Sequence, residues 1–159
     1  VGGDGAATLG GGPSNDRISG GDGDDSIVGR NGRDTLFGND GADTINGGAD
    51  DDLINGGANN DTIIGESGDD RIDGGLDSDN INGGDGNDTL LGNFGDDLLN
   101  GMAGNDSLLG GSGQDIMLGG AGMDTLDGGR NNDTLRGQAG NDTLRGNHEI
   151  GRASCRERV

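Results

Sequence analysis

GGDGNDTLLGNFGDDLLNGMAGNDSLLG, residues 83–110, states one phrase three times. Each nine-residue phrase opens on Gly, carries Asp at its sixth place and an aliphatic residue at its eighth. Followed outward, the register holds without insertion or deletion from Gly2 to Arg145, which makes sixteen units of nine. The first place is Gly in all sixteen, and the eighth is Leu, Ile or Met in all sixteen, from Leu9 and Ile18 through Met117 to Leu144. The sixth place is Asp in fifteen: Asp16, Asp25, Asp34, Asp43, Asp52, Asp61, Asp70, Asp79, Asp88, Asp97, Asp106, Asp115, Asp124, Asp133 and Asp142. Ala7 alone breaks that column.

Composition by itself points the other way. The 159 residues include 40 Gly, one Pro and no Trp or Tyr, with 30 acidic side chains against 10 Arg and a net charge of −20. Few apolar groups under high net charge describe a chain that does not collapse alone. Three columns held in phase over sixteen units outweigh that default, because low-complexity drift keeps no register. No apolar run reaches membrane-spanning length and no secretory leader stands at the start.

The fourth place shows what the glycines are for. It is Gly in eleven units and Ser14, Asp50, Asn59, Asp77 or Asn131 in the rest. Apart from Ser, these residues tolerate positive φ, so the column specifies a backbone conformation. Places one to six then read as a tight turn, and places seven to nine as a very short strand with its middle residue inward. The seventh place, often Thr as at Thr35, Thr44 and Thr62, points outward, as does the ninth. Turn, strand, turn, strand closes a coil of 18 residues, and stacked coils give two facing parallel sheets. Eight coils at about 4.8 Å make a rod roughly 38 Å long. Nothing follows a helical period, so the expected class is all-β.

One inward aliphatic per unit is a thin core for a chain this rich in Gly. Stacking also aligns the Asp column into ladders of like charge, so the array calls for a cation. The available donors are carboxylates and the carbonyls of Gly-rich turns, an oxygen-only set that suits calcium better than magnesium. Zinc and copper do not fit, since the units contain neither Cys nor His.

GGDGDDSIV (20–28), GGDGNDTLL (83–91) and GGAGMDTLD (119–127) satisfy every specified place of the pattern G-G-x-G-x-D-x-U-x, where U is a large aliphatic residue. The units of residues 2–145 thus resemble the repeats-in-toxin, or hemolysin-type, nonapeptide. The resemblance implies a right-handed parallel β-roll whose ions lie between neighbouring coils on one side. Carried over, Asp16 pairs with Asp34, Asp25 with Asp43, and so on down both edges. Sixteen units leave seven gaps on each edge, so at most about 14 Ca2+ ions are expected. The Ala7 unit and the Pro13-Ser14 turn set the first gap on each edge apart.

Binding and folding are expected to be one event, because the metal-free array repels itself. The charge balance suggests that the module stays threadable where calcium is scarce and sets outside the cell, and the resemblance implies a large secreted protein exported in one step. A spacer of a surface adhesin is the alternative. Ice binding, known from a relative of this fold with Thr rows on its turns, is not indicated, as the third place never holds Thr. No catalytic role is expected, because each regularly placed carboxylate has a structural duty. The expected partners are calcium and the flanking domains of a parent protein, with no nucleic acid, no membrane span and a monomeric state. Outward apolar residues at places seven and nine (Val28, Phe37, Leu53, Ile64, Leu91, Leu98, Leu109, Ile116, Leu118) read as scattered surface hydrophobes. A docking face around Ile116 and Leu118 is the alternative.

The pattern stops after Arg145, and 146–159 form a tail with the chain's only His and Cys. Residues 149–159, EIGRASCRERV, are similar to a translated sequencing adapter, with IGRASCRERV matching ATC GGA AGA GCG TCG TGT AGG GAA AGA GTG. On that expectation Cys155 and the tail arginines carry no chemistry and the units are an internal piece of a longer array, while His148 stands alone and gets no role.

Overall fold

The computed structural model describes residues 1–146, and the adapter-like stretch with His148 and Cys155 lies outside them. Sixteen strands follow one another, from β1 (Thr8–Gly10) and β2 (Arg17–Asp22) to β15 (Thr134–Ala139) and β16 (Thr143–Arg145). Odd-numbered strands form one eight-stranded sheet and even-numbered strands the other, each in sequence order. Every pairing between strands is parallel and joins residues 18 apart, such as Thr8↔Ser26 and Thr125↔Thr143. The molecule is thus a parallel β-solenoid of about eight coils with 18 residues per turn, all strand among the described residues.

Strand length differs from the three residues expected. The fourteen strands between β1 and β16 have six residues, running from place seven through place three of the next unit. In β10 (Thr89–Phe94) and β12 (Ser107–Ser112) the ladder pairs Leu91↔Leu109 and resumes at Asn93↔Gly111. The resumption falls at place two, where φ is 72° at Asn93 and 110° at Gly111. A left-handed residue kinks the strand at the coil's corner without ending its pairing, so the true turn shrinks to places four to six. Positive φ at place four is as expected: Asp50, Asn59, Asp77 and Asn131 lie at 70–80° beside the glycines of that column.

The eighth-place residues of both sheets meet in one core. Twelve of them, from Ile27 to Leu126, are buried to 1% exposure or less, while Leu9, Leu135 and Leu144 pack partly buried at the two ends. Of the outward apolar residues, Leu53, Ile64, Leu98, Leu109 and Ile116 are exposed, whereas Val28, Phe37, Leu91 and Leu118 are half-buried. They divide between both sheets, with Leu98 and Ile116 direct neighbours on one. No helix among the described residues is long and apolar enough to cross a membrane.

Candidate metal centre

The strands carry the sixth-place aspartates to the two edges of the solenoid, where the last turn residue precedes each strand. One edge holds Asp16, Asp34 and so on to Asp142. The other holds Ala7, then Asp25 to Asp133. Twelve of the carboxylates, Asp25 through Asp124, are only 1–3% exposed, while Asp16, Asp133 and Asp142 are half-buried.

The two oxygens of each carboxylate have different fates. Oδ1 accepts the backbone amide of the sixth-place residue one coil earlier: Asp61 N donates to Asp79 Oδ1 at 2.9 Å, and Asp70 N to Asp88 Oδ1 at 2.9 Å. The pattern begins with Ala7 N on Asp25 Oδ1 at 2.7 Å, so the missing carboxylate does not break the backbone ladder. Oδ2 meets nothing: in the thirteen aspartates from Asp25 to Asp133 it is buried without a hydrogen-bond partner. A buried anionic oxygen left unpaired is costly, so these atoms call for a cation or a proton.

The first-place glycines make room for that oxygen. A Cβ on Gly83 would overlap Asp88 Oδ2 and lie 3.0 Å from the carbonyl oxygen of Gly101, and the same clash recurs along the column. No positive φ is needed at Gly83; space is the reason for its glycine. We expect Gly83→Ala to disrupt the local coil and weaken metal binding in the gaps beside Asp88. Calcium titration by calorimetry checks this, since an unchanged ion count and heat would contradict a cradle at that glycine.

Charge accumulates as the geometry dictates. Burial raises the carboxyl pKa, opposed by the amide on Oδ1 and reinforced by neighbouring carboxylates: Asp61, Asp70 and Asp79 reach about 7. Asp52, Asp88, Asp106 and Asp115 reach about 6 by the same causes. Asp43, Asp97, Asp124 and Asp133 are also raised, burial leading in each.

Among the described residues no three of His, Cys, Asp and Glu converge on one point. The remaining donors for an ion are therefore backbone carbonyls, such as that of Gly101, which borders the space beside Gly83 and Asp88 Oδ2. An all-oxygen set with a carboxylate from each neighbouring coil fits a hard cation of flexible coordination, as calcium is. The first gap on one edge differs, because Asp16 Oδ2 is already taken by Gly12 N at 2.6 Å; on the other, Ala7 offers no carboxylate. Two features escape a reading of the sequence. Positive φ at place two is hidden by its varied occupants, among them Arg30, Glu66 and Met102. The fifth place, Asn, Asp or Ser in eleven units, gave a visible signal that the Asp column overshadows.

Family comparison agrees with this geometry. The model described as RTX calcium-binding nonapeptide repeat (4 copies) matches residues 1–36, 28–63, 55–90, 82–117, 91–126 and 118–147. No curated protein matches the chain. The matched units leave almost nothing of the described chain outside the repeat. The chain therefore belongs to the RTX calcium-binding nonapeptide repeat family, as a Ca2+-binding repeat module.

Proposed function

We propose that Asp25 to Asp133 and their counterparts on the opposite edge are the carboxylate ligands of calcium ions lying between neighbouring coils. Loading these gaps sets the solenoid, and the module serves a larger exported protein whose chain stays threadable until it meets calcium outside the cell. The observation that supports this best is the row of thirteen buried, unpartnered Oδ2 atoms. With calcium bound, each gap gains a divalent charge between two carboxylates, each of which it shares with the next gap, and ligand deprotonation couples binding to folding. The chain's own part is to hold Oδ1 on a backbone amide so that Oδ2 faces the gap. A spacer role in a surface protein is favoured by the unbroken register, which makes the same calcium-set units a rod.

Circular dichroism and small-angle scattering against calcium test the coupling. The expected result is an expanded chain without β signal in excess chelator, and a cooperative gain of β structure and compactness as calcium rises. A compact, cooperatively melting monomer in chelator at pH 8 would overturn it.

A further inference from the structure

The amides of the turn are held by a second ladder beside that of the sixth-place aspartates, and it runs in the opposite sense. The fifth-place side chain accepts the backbone amide of the fifth-place residue one coil later. On one edge Asp69 N donates to Asp51 Oδ1 at 3.1 Å, Asn87 N to Asp69 Oδ1 at 2.8 Å, Asn105 N to Asn87 Oδ1 at 2.9 Å and Met123 N to Asn105 Oδ1 at 2.8 Å. On the other, Ser78 N reaches Asn60 Oδ1 at 3.2 Å, Asp96 N reaches Ser78 Oγ at 3.1 Å and Gln114 N reaches Asp96 Oδ1 at 2.7 Å. Asn side chains add rungs of their own, with Asn105 Nδ2 on Asn87 Oδ1 at 3.1 Å.

A single row of rungs fixes the distance between neighbouring turns but lets one slide past the other. Two rows on adjacent residues, one pointing to the next coil and one to the previous, also resist that shear. The gap they brace is the one that Asp70 and Asp88, or Asp88 and Asp106, face. The second row is not continuous. It begins with Arg33 N on Asn15 Oδ1 at 3.0 Å and Ala42 N on Asp24 Oδ1 at 2.9 Å. It then breaks, because Arg33 and Ala42, like Met123 further on, offer no acceptor oxygen in their side chains, and Arg33 instead pairs with Asp51 Oδ2 at 2.7 Å on the exposed surface.

We propose that the fifth-place Asn, Asp and Ser side chains are positioning residues for the calcium gaps, and that residues 51–123 form the longest uninterrupted doubly braced run, whose ions are held more tightly than those at the breaks on either side. This rests on the calcium reading of the aspartates above. A cation coordinated by two turns is held only as well as the two turns are held against each other, so bracing acts on ion release without touching the ion.

The test uses the full chain loaded with terbium, with luminescence decays compared in H2O and D2O and release followed on mixing with chelator. Asn87→Ala removes the acceptor of Asn105 N and Nδ2 and the donor to Asp69 Oδ1, and should speed release of the ions beside Asp88 by at least about fivefold, the effect of a single lost hydrogen bond. It should also raise the number of waters on them and speed amide exchange at Asn105. Asn87→Asp keeps the acceptor oxygen for Asn105 but loses the Nδ2 donor to Asp69, so it should restore exchange at Asn105 fully and the release rate and water count in part. Met123→Asn creates the absent acceptor and should slow release of a subset of ions, a gain that no folding defect can imitate. If wild-type and all three variants release terbium alike with equal water counts, the fifth-place side chains do not position the gaps. If the wild-type chain binds neither calcium nor terbium, the calcium reading fails and this proposal with it.

Discussion

In excess chelator the chain is expected to be expanded at pH 8 and to draw in as the pH falls to 5. Burial pushes the carboxyls of Asp61, Asp70 and Asp79 up to about 7, and those of Asp52, Asp88, Asp106 and Asp115 to about 6, against an ordinary value of 3.8. A folded-state pKa above the unfolded one means that the fold binds more protons than the open chain. Its stability contribution is then fully present below the unfolded value and lost as pH rises through 6 to 7. Ionising one of the three that titrate near 7 costs the fold about 4 kcal/mol relative to an exposed carboxylate, and a few such costs exceed the net stability of an ordinary domain. On the calcium reading proposed above, protons and calcium compete for the same buried oxygens: with calcium present, acidification should weaken binding, and without it, acidification should restore compaction. Measuring at pH 5 keeps the chain above its isoelectric point of 4.1. Scattering profiles in chelator that stay superimposable from pH 8 to pH 5 would show that the buried Oδ2 atoms do not oppose folding.

That outcome turns on atoms the sequence could point to but not place. Asp at place six, an aliphatic at place eight and a left-handed residue at place four were legible because each column has one physical duty that few residue types can perform. The first-place glycines were legible as invariant but not as to cause. Only the structure shows Asp88 Oδ2 standing where a Cβ of Gly83 would go. Place two was opaque for the opposite reason. Arg30, Glu66 and Gln138 accept positive φ there, at 74–90°, because pairing on both sides of the corner holds the backbone whatever the side chain prefers. The same pairing explains why strands run to six residues where the nine-residue period indicated three. Spacing alone describes the Asp ladder as a row of repelling charges. That half of each carboxylate is already satisfied by the previous coil's amide could not be deduced from spacing, since it depends on which way Oδ1 turns.

Asp79 offers the sharpest contrast between these two halves. It faces two gaps, toward Asp61 and toward Asp97, its Oδ1 accepts Asp61 N at 2.9 Å and its Oδ2 is buried without a partner. Asp79→Asn retains an acceptor for the Asp61 amide while removing the charge, so it isolates the metal's share. The calcium-saturated variant should bind two ions fewer and lose at least about 3 kcal/mol, or roughly 10 °C in Tm for a domain of this size. Asp79→Ala removes the acceptor as well and strands the Asp61 amide, adding about 1–3 kcal/mol. Asp16→Asn is the control: Asp16 is half-buried, its Oδ2 is already bonded to Gly12 N at 2.6 Å, and no ion should be lost. Calorimetric ion counts with melting curves at saturating calcium separate the three. Should Asp79→Asn keep the wild-type count while Asp79→Ala falls apart, the aspartate would be an amide-binding strut alone. The cation would then have to be held by carbonyls, a set too weakly charged to draw together a chain of net charge −20.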